Sequence, residues 1–294
     1  MPLGPTDLFW IGLVPCALAS LAMGLAARTG LRPTAAWALA VGGTIFLGLT
    51  LQHLRVNSQT ALDKLLHPRV GLEWLPWLVL VAALITALAV YAPRTWQRWL
   101  LALACVFAIA TPFRLLASNA AAMGRWSTAE KLGVLACWSL LFATLWATLA
   151  LGRRNAQPLL RSTLLLVVTA GIALTLAGSG SITLGELTGI VAATILGASA
   201  AAMAVRFMRP NGPSSAAGPL AVALGGLILI GQSYELTTTN AVLLAFSLAA
   251  SCGYLPEWPR QQIGRAAVRV LLTLVPLAIA LALALSTATP NPYG

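Results

Sequence analysis

The chain has 294 residues, 59% hydrophobic and only 9% charged, with a mean hydropathy of +0.86 and a formal net charge of +11. A soluble domain carries about 25% charged residues, and no single water-facing core of this size hides so much apolar surface, so the composition requires a bilayer. The basic residues are scattered over short gaps and form no patch, which excludes nucleic acid as a partner.

Apolar runs of about 17 to 25 residues mark membrane-spanning helices. They predict an all-α bundle of about ten, forming one transmembrane domain over residues 1–294. The first run covers 9–27. Its leader, Met1 to Leu8, holds Asp7 and no Lys or Arg, so it reads as a retained helix and not as a secretory signal. The second, 35–51, carries Gly42, Gly43 and Gly48, small residues that let helices approach closely.

A polar loop follows over residues 52–74, the most polar part of the chain. Asn57 and Ser58 suit a helix start and Pro68 a stop. The apolar pairs Ala61-Leu62 and Leu65-Leu66, split by Asp63 and Lys64, predict a short amphipathic helix lying on the membrane or over a cavity. Both histidines, His53 and His67, are here. A helix puts Asp63 and His67 on one face, four residues apart. With no further firm ligand at metal-binding spacing, the pair reads as a local contact, and the sequence requires no metal, haem or other cofactor.

The third and fourth runs are 75–92 and 99–116. Arg114 stands near the end of the fourth, where it must snorkel to water, pair with an acid, or line a wet cavity; Glu186 and Glu235 are the candidate partners. The fifth, sixth and seventh cover 132–151, 159–177 and 187–205. Gly178 to Ser181 is a turn, and the seventh run is packed with Ala and with Gly197. The eighth and ninth, 219–234 and 239–255, are the weakest. Gln232, Ser233, Tyr234 and Glu235 interrupt them, and they suit a hairpin that only partly crosses. Glu-Leu-Thr at residues 186–188 and again at 235–237 is a faint internal repeat. The tenth run is 267–287. The four cysteines, Cys16, Cys105, Cys137 and Cys252, lie in or beside apolar runs without CxxC spacing, and read as buried small apolar residues.

Lys and Arg are retained on the cytoplasmic side of a membrane. Alternate gaps hold Arg28 and Arg32, then Arg94 and Arg98, then Arg153, Arg154 and Arg161, then Arg206 and Arg209, then Arg260, Arg265 and Arg269: twelve of the eighteen basic residues. These gaps are expected inside, which turns both termini outward, as in a bacterial cytoplasmic membrane. Six of the seven acids then fall outside, with Glu257 the exception. The Arg-rich, Ala-rich and Leu-rich composition suits a GC-rich bacterial genome.

No HExxH, GxSxG, P-loop or paired intramembrane aspartates occur. In size and helix number the chain is similar to the drug/metabolite transporter superfamily, although its outward termini depart from that family's inward ones. A small-solute transporter or permease is the leading expectation. A structural or assembly subunit of a membrane complex is the alternative, and a membrane enzyme with an outward-facing site the third. The bilayer is the partner the sequence requires; it identifies no substrate and leaves further membrane subunits open. The expected polar site opens outward and comprises His53, Asp63, His67, Arg114, Glu186 and Glu235.

Overall fold

The structure is a computed structural model and describes residues 5–56, 61–117, 127–151, 158–204, 213–234, 236–252 and 262–287. Among the described residues every regular element is helical. A short helix α1 (Pro5–Leu8) runs through a π-helical turn, Phe9–Leu13, into α2 (Val14–Arg28). The wide turn comes just before Pro15, which lacks an N–H and crowds the turn before it. Then come α3 (Pro33–Val56), α4 (Ala61–Leu66), α5 (Gly71–Tyr91), α6 (Arg94–Ala117), α7 (Thr128–Leu151), α8 (Pro158–Gly178) and α9 (Ile182–Ala204). A 3-10 turn, Pro213–Ala216, leads into α10 (Ala217–Tyr234), followed by α11 (Thr238–Cys252) and α12 (Gln262–Thr287).

Nine of these helices, among the described residues, are long and apolar enough to cross a bilayer. They coincide with nine of the ten apolar runs. The remaining run, the ninth, is α11, which has 15 residues. At 1.5 Å per residue it covers roughly 22 Å against a hydrocarbon core of about 30 Å. The amphipathic segment of the polar loop is α4, but Leu66 remains 68% exposed, so its apolar side is only partly covered by the bundle.

One helix organises the rest. From Ala217 to Gly231 every residue of α10 is buried. Helices α3, α5, α6, α7, α11, α8 and α9, each packed on the next, close a ring around it. α2 lies outside that ring on α3 and α9, and α12 lies outside it on α8 and α11. The sequence reason is composition: α10 is apolar all round, so it has no face that suits water. Its Ala and Gly residues let neighbours approach on every side. Leu75 packs against Gly226, Phe142 against Gly225 and Thr86 against Gly218.

Several buried threonines are turned onto their own helices. Thr86, Thr169, Thr175, Thr188 and Thr194 each donate to the carbonyl four residues back, at 2.7–2.8 Å. That satisfies each hydroxyl without water.

The helices alternate in direction. At one end Arg32 donates from its backbone N–H to Tyr91 Oη at 2.8 Å and from Nη1 to Val90 O at 2.7 Å. This joins the start of α3 to the finish of α5. At the other end lie the finish of α3 with His53, the starts of α5 and α9, and the finishes of α6 and α10. We refer to these as the Arg32 end and the His53 end.

Two details differ from expectation. Cys105 and Cys137 are exposed, because α6 and α7 turn much of their surface toward the surroundings of the bundle; Cys16 is half-buried. The two Glu-Leu-Thr segments occupy different places. Glu186 lies inside α9, whereas Leu236 and Thr237 precede α11 and Glu235 falls outside the described residues.

Two glycines generate a direct test. A side chain at Gly197 would run into the backbone carbonyl of Cys16 on α2, while one at Gly43 meets nothing. We predict that Gly197→Ala lowers stability by about 1–3 kcal/mol, the usual cost of overpacking. Gly43→Ala will be neutral or stabilising, since it removes about 0.5–1 kcal/mol of glycine flexibility. Unfolding of the detergent-solubilised protein, read by tryptophan fluorescence, checks both; equal effects would contradict the packing of α2 on α9.

Candidate functional site

The His53 end carries a cavity of about 210 Å³. α3 supplies Gln52 and His53 from its last turns, α4 supplies Lys64, the start of α5 supplies Leu72 and Glu73, and the start of α9 supplies Thr183 and Leu187. Local sequence explains why these groups converge. The chain between α3 and α5 must return to the same end. α4 folds in that return, and Trp77 pins it by donating from Nε1 to Leu65 O at 2.8 Å.

The walls are held by specific contacts. Gln52, 7% exposed, donates from Nε2 to Glu186 Oε2 at 3.0 Å, joining α3 to α9. Arg55 is salt-bridged to Asp7 and ties α3 to α1. His53 Nε2 meets Leu72 O at 3.3 Å. A carbonyl can only accept, so Nε2 carries the hydrogen and the neutral ring keeps Nδ1 as an acceptor. Glu73 Oε2 accepts the backbone N–H groups of Arg69 at 2.6 Å and Val70 at 3.2 Å, a carboxylate at a helix start. Glu130 does the same for α7, accepting from Ser127 N at 2.7 Å.

The six residues expected to form the site are placed as follows. His53 lines the cavity. Glu186 stands beside it through Gln52. Asp63 of α4 and His67 just beyond it pair with each other at 3.2 Å, with side chains 69% and 72% exposed, and do not line the cavity. Arg114 is exposed at the finish of α6 and stacks on Trp74 of α5, with its Cζ 4.0 Å from the ring centroid. Glu235 falls outside the described residues, but its neighbour Tyr234 borders a second, smaller hollow with Val70, Leu72 and Leu115. The start of α5 therefore lies between His53 and Glu186 on one side and the finishes of α6 and α10 on the other.

Several polar residues at this end were not singled out from sequence. Gln52, Lys64, Glu73 and Thr183 line the cavity. Lys64 and Glu73 were visible as charges in the polar loop; Gln52 and Thr183 had no signal beyond their position at a helix end. Trp138 Nε1 donates to Gln232 Oε1 at 2.7 Å, and Gln232 Nε2 to Thr238 Oγ1 at 3.0 Å, which ties α7, α10 and α11 together. The break in the apolar run at Gln232 was the clue to that link. At the Arg32 end, Arg161 and Arg269 are buried although their chain positions suggested loop charges.

The chain matches no protein-family model, no curated protein and no solved structure.

Two predictions concern these contacts. Gln52→Leu leaves Glu186 without its amide donor and will lower stability by about 1–3 kcal/mol, the cost of stranding a partly buried acceptor. Glu186→Leu added to it will recover part of the loss, and a double variant worse than the sum would show that the pair is not coupled in this way. For Arg114, a double-mutant cycle with Trp74→Leu and Arg114→Ala will give a coupling of about 0.5–1 kcal/mol, as for an exposed cation–π contact; zero coupling would separate the two side chains.

Proposed function

We propose that this chain is a small-solute carrier or permease, with the cavity at the His53 end as its outward-facing binding site. One observation carries the reading: a recess of about 210 Å³ at the end of a membrane bundle, lined by Gln52, His53, Lys64, Glu73 and Thr183 together with the apolar Val70, Leu72 and Leu187. Drug-sized sites run to about 300–1,000 Å³, so this one suits a small polar molecule. Groups of both signs suit a zwitterion or a hydrogen-bonding solute. The orientation rests on the basic residues of the alternate gaps, which are retained in the cytoplasm and leave the His53 end outside. The same count turns both termini outward, and the Arg-, Ala- and Leu-rich composition supports a bacterial cytoplasmic membrane.

A second reading is a structural or assembly subunit of a membrane complex. It is favoured by α10, whose burial on every side fills the bundle axis. The carrier reading accommodates a filled axis as the state closed toward the Arg32 end, since carriers open one side at a time.

The test combines topology and binding. In a variant whose four cysteines are replaced by serine, Thr183→Cys will react with a membrane-impermeant thiol reagent added outside intact cells. Reaction only after the cytoplasmic face is opened would reverse the orientation. The purified protein is then heated with a panel of amino acids, small carboxylic acids, sugars and inorganic ions. At least one class will raise the unfolding temperature and block the reaction at Thr183→Cys, and His53→Ala will abolish both effects. That solute will exchange across liposomes carrying the protein. If no class stabilises, blocks or exchanges, the subunit reading stands in place of the carrier.

A further inference from the structure

A proline inside a helix removes one rung of the hydrogen-bond ladder, because it has no N–H to give to the carbonyl four residues back. Pro76 lies inside α5 and is buried, and the carbonyl that loses this donor is that of Leu72. A side chain from another helix takes the donor's place. His53, in the last turn of α3, donates from Nε2 to Leu72 O at 3.3 Å. The rung that α5 lacks is therefore supplied by α3.

The turn held in this way is a partition. Val70 and Leu72 line the His53 cavity, and with Gly71 they also line the second hollow, of about 40 Å³. That hollow reaches inward to Leu229, Ile230 and Ser233 of α10. Space thus adjoins the same few residues on two sides. On a third side the turn rests against α6, where a Cβ on Gly71 would fall 2.5 Å from Leu115 O.

From Leu75 onward the same helix is fixed. Leu75 is fully buried against Gly226 of α10. Trp77 packs on Phe46 of α3, with ring centroids 5.2 Å apart, and donates to Leu65 O. Val79, Ala82 and Ala83 are fully buried. Before the proline the burial is looser: Val70 is 43% exposed, and Leu72, Glu73 and Trp74 are half-buried. The missing rung therefore joins a fixed body to a partition with room beside it, and a proline is where a membrane helix bends.

We propose that the first turn of α5, residues 71–74, is a gate, hinged at Pro76 and latched by His53, whose opening joins the His53 cavity to the hollow against α10. When His53 lets go, Leu72 O accepts from water in the cavity, so no buried carbonyl is stranded. The two hollows then form one chamber, which runs from the end of the bundle to its central helix. The latch uses the ring N–H that faces Leu72 and leaves the other ring nitrogen to the cavity. The gate is a property of the fold and does not need the carrier reading; in a carrier it governs passage from the mouth to the axis.

The experiment measures opening directly, in the purified, detergent-solubilised protein with no solute added. In a variant whose four cysteines are replaced by serine, Ile230→Cys puts a thiol in the inner hollow, at a position 5% exposed. Its rate of reaction with a water-soluble thiol reagent follows the open population. His53→Ala removes the latch and will speed the reaction about two- to tenfold, the change that loss of a hydrogen bond of about 0.5–1.5 kcal/mol gives. Pro76→Ala restores the N–H that α5 lacks and will slow the reaction. In the double variant it will cancel the effect of His53→Ala, because both act on one carbonyl. Val168→Cys, fully buried on α8, reports general loosening, and His53→Ala will leave its rate in place. The proposal is overturned if His53→Ala does not change the Ile230→Cys rate, if it speeds Val168→Cys by the same factor, or if Pro76→Ala fails to counter it. Where His53→Ala does not fold, Pro76→Ala alone decides: a slower reaction supports the gate, and an unchanged or faster one overturns it. Solute binding plays no part in these rates, so failure of the gate and failure of the carrier reading are separate results.

Discussion

The burial of α10 on every side is the constraint on which the rest of this bundle depends. A helix in the middle of a ring has no free face. It must be apolar all round, and small enough that seven neighbours close on it without gaps. Ala, Gly, Leu and Ile from Ala217 to Gly231 meet both conditions. Glycine does so most directly, because Gly218, Gly225 and Gly226 each receive a side chain from a ring helix. In hydrocarbon no hydrophobic effect drives helices together, so such close packing is a main source of association.

Once the axis is filled, polar groups have two places left. Many hydroxyls within the core are satisfied by their own helices, as for Thr169 and Thr188, and Ser247 by a carbonyl of a neighbouring helix. Charges collect at the ends, and the ends differ. The His53 end mixes signs, and much of that mixture is structural: Glu73 and Glu130 serve helix starts, and Asp7 holds Arg55. What remains facing the cavity, chiefly His53, Lys64 and Thr183 beside Gln52, is a smaller and more specific set than the polarity of the loop suggests. The Arg32 end is nearly all basic.

The positive-inside rule treats every Arg near a helix end alike, because insertion reads charge and not packing. Arg153 and Arg161 are therefore indistinguishable in a charge count. Arg161 is nevertheless buried at the start of α8, 3% exposed. The same blindness affected Arg114, for which sequence offered snorkelling or an acid as alternatives. An aromatic face, Trp74, is also among its contacts.

By itself the sequence determined the class, the positions of nine long helices, the short helix in the polar loop and the alternation of charge. These depend on local hydropathy and on residue order, both of which are one-dimensional. It ranked the run that became α10 among its weakest, because a break at Gln232 lowers a hydropathy pattern. Only the tertiary structure decided that this run is the axis and that Gln232 joins three helices. It likewise placed His53 and Glu186 together through Gln52, left Asp63 and His67 exposed outside the cavity lining, and drew Arg161 and Arg269 inside. Each of these depends on the azimuth of a helix and on its neighbours. An apolar sequence with little amphipathic periodicity does not encode azimuth locally; it emerges from close packing between small residues far apart in the chain.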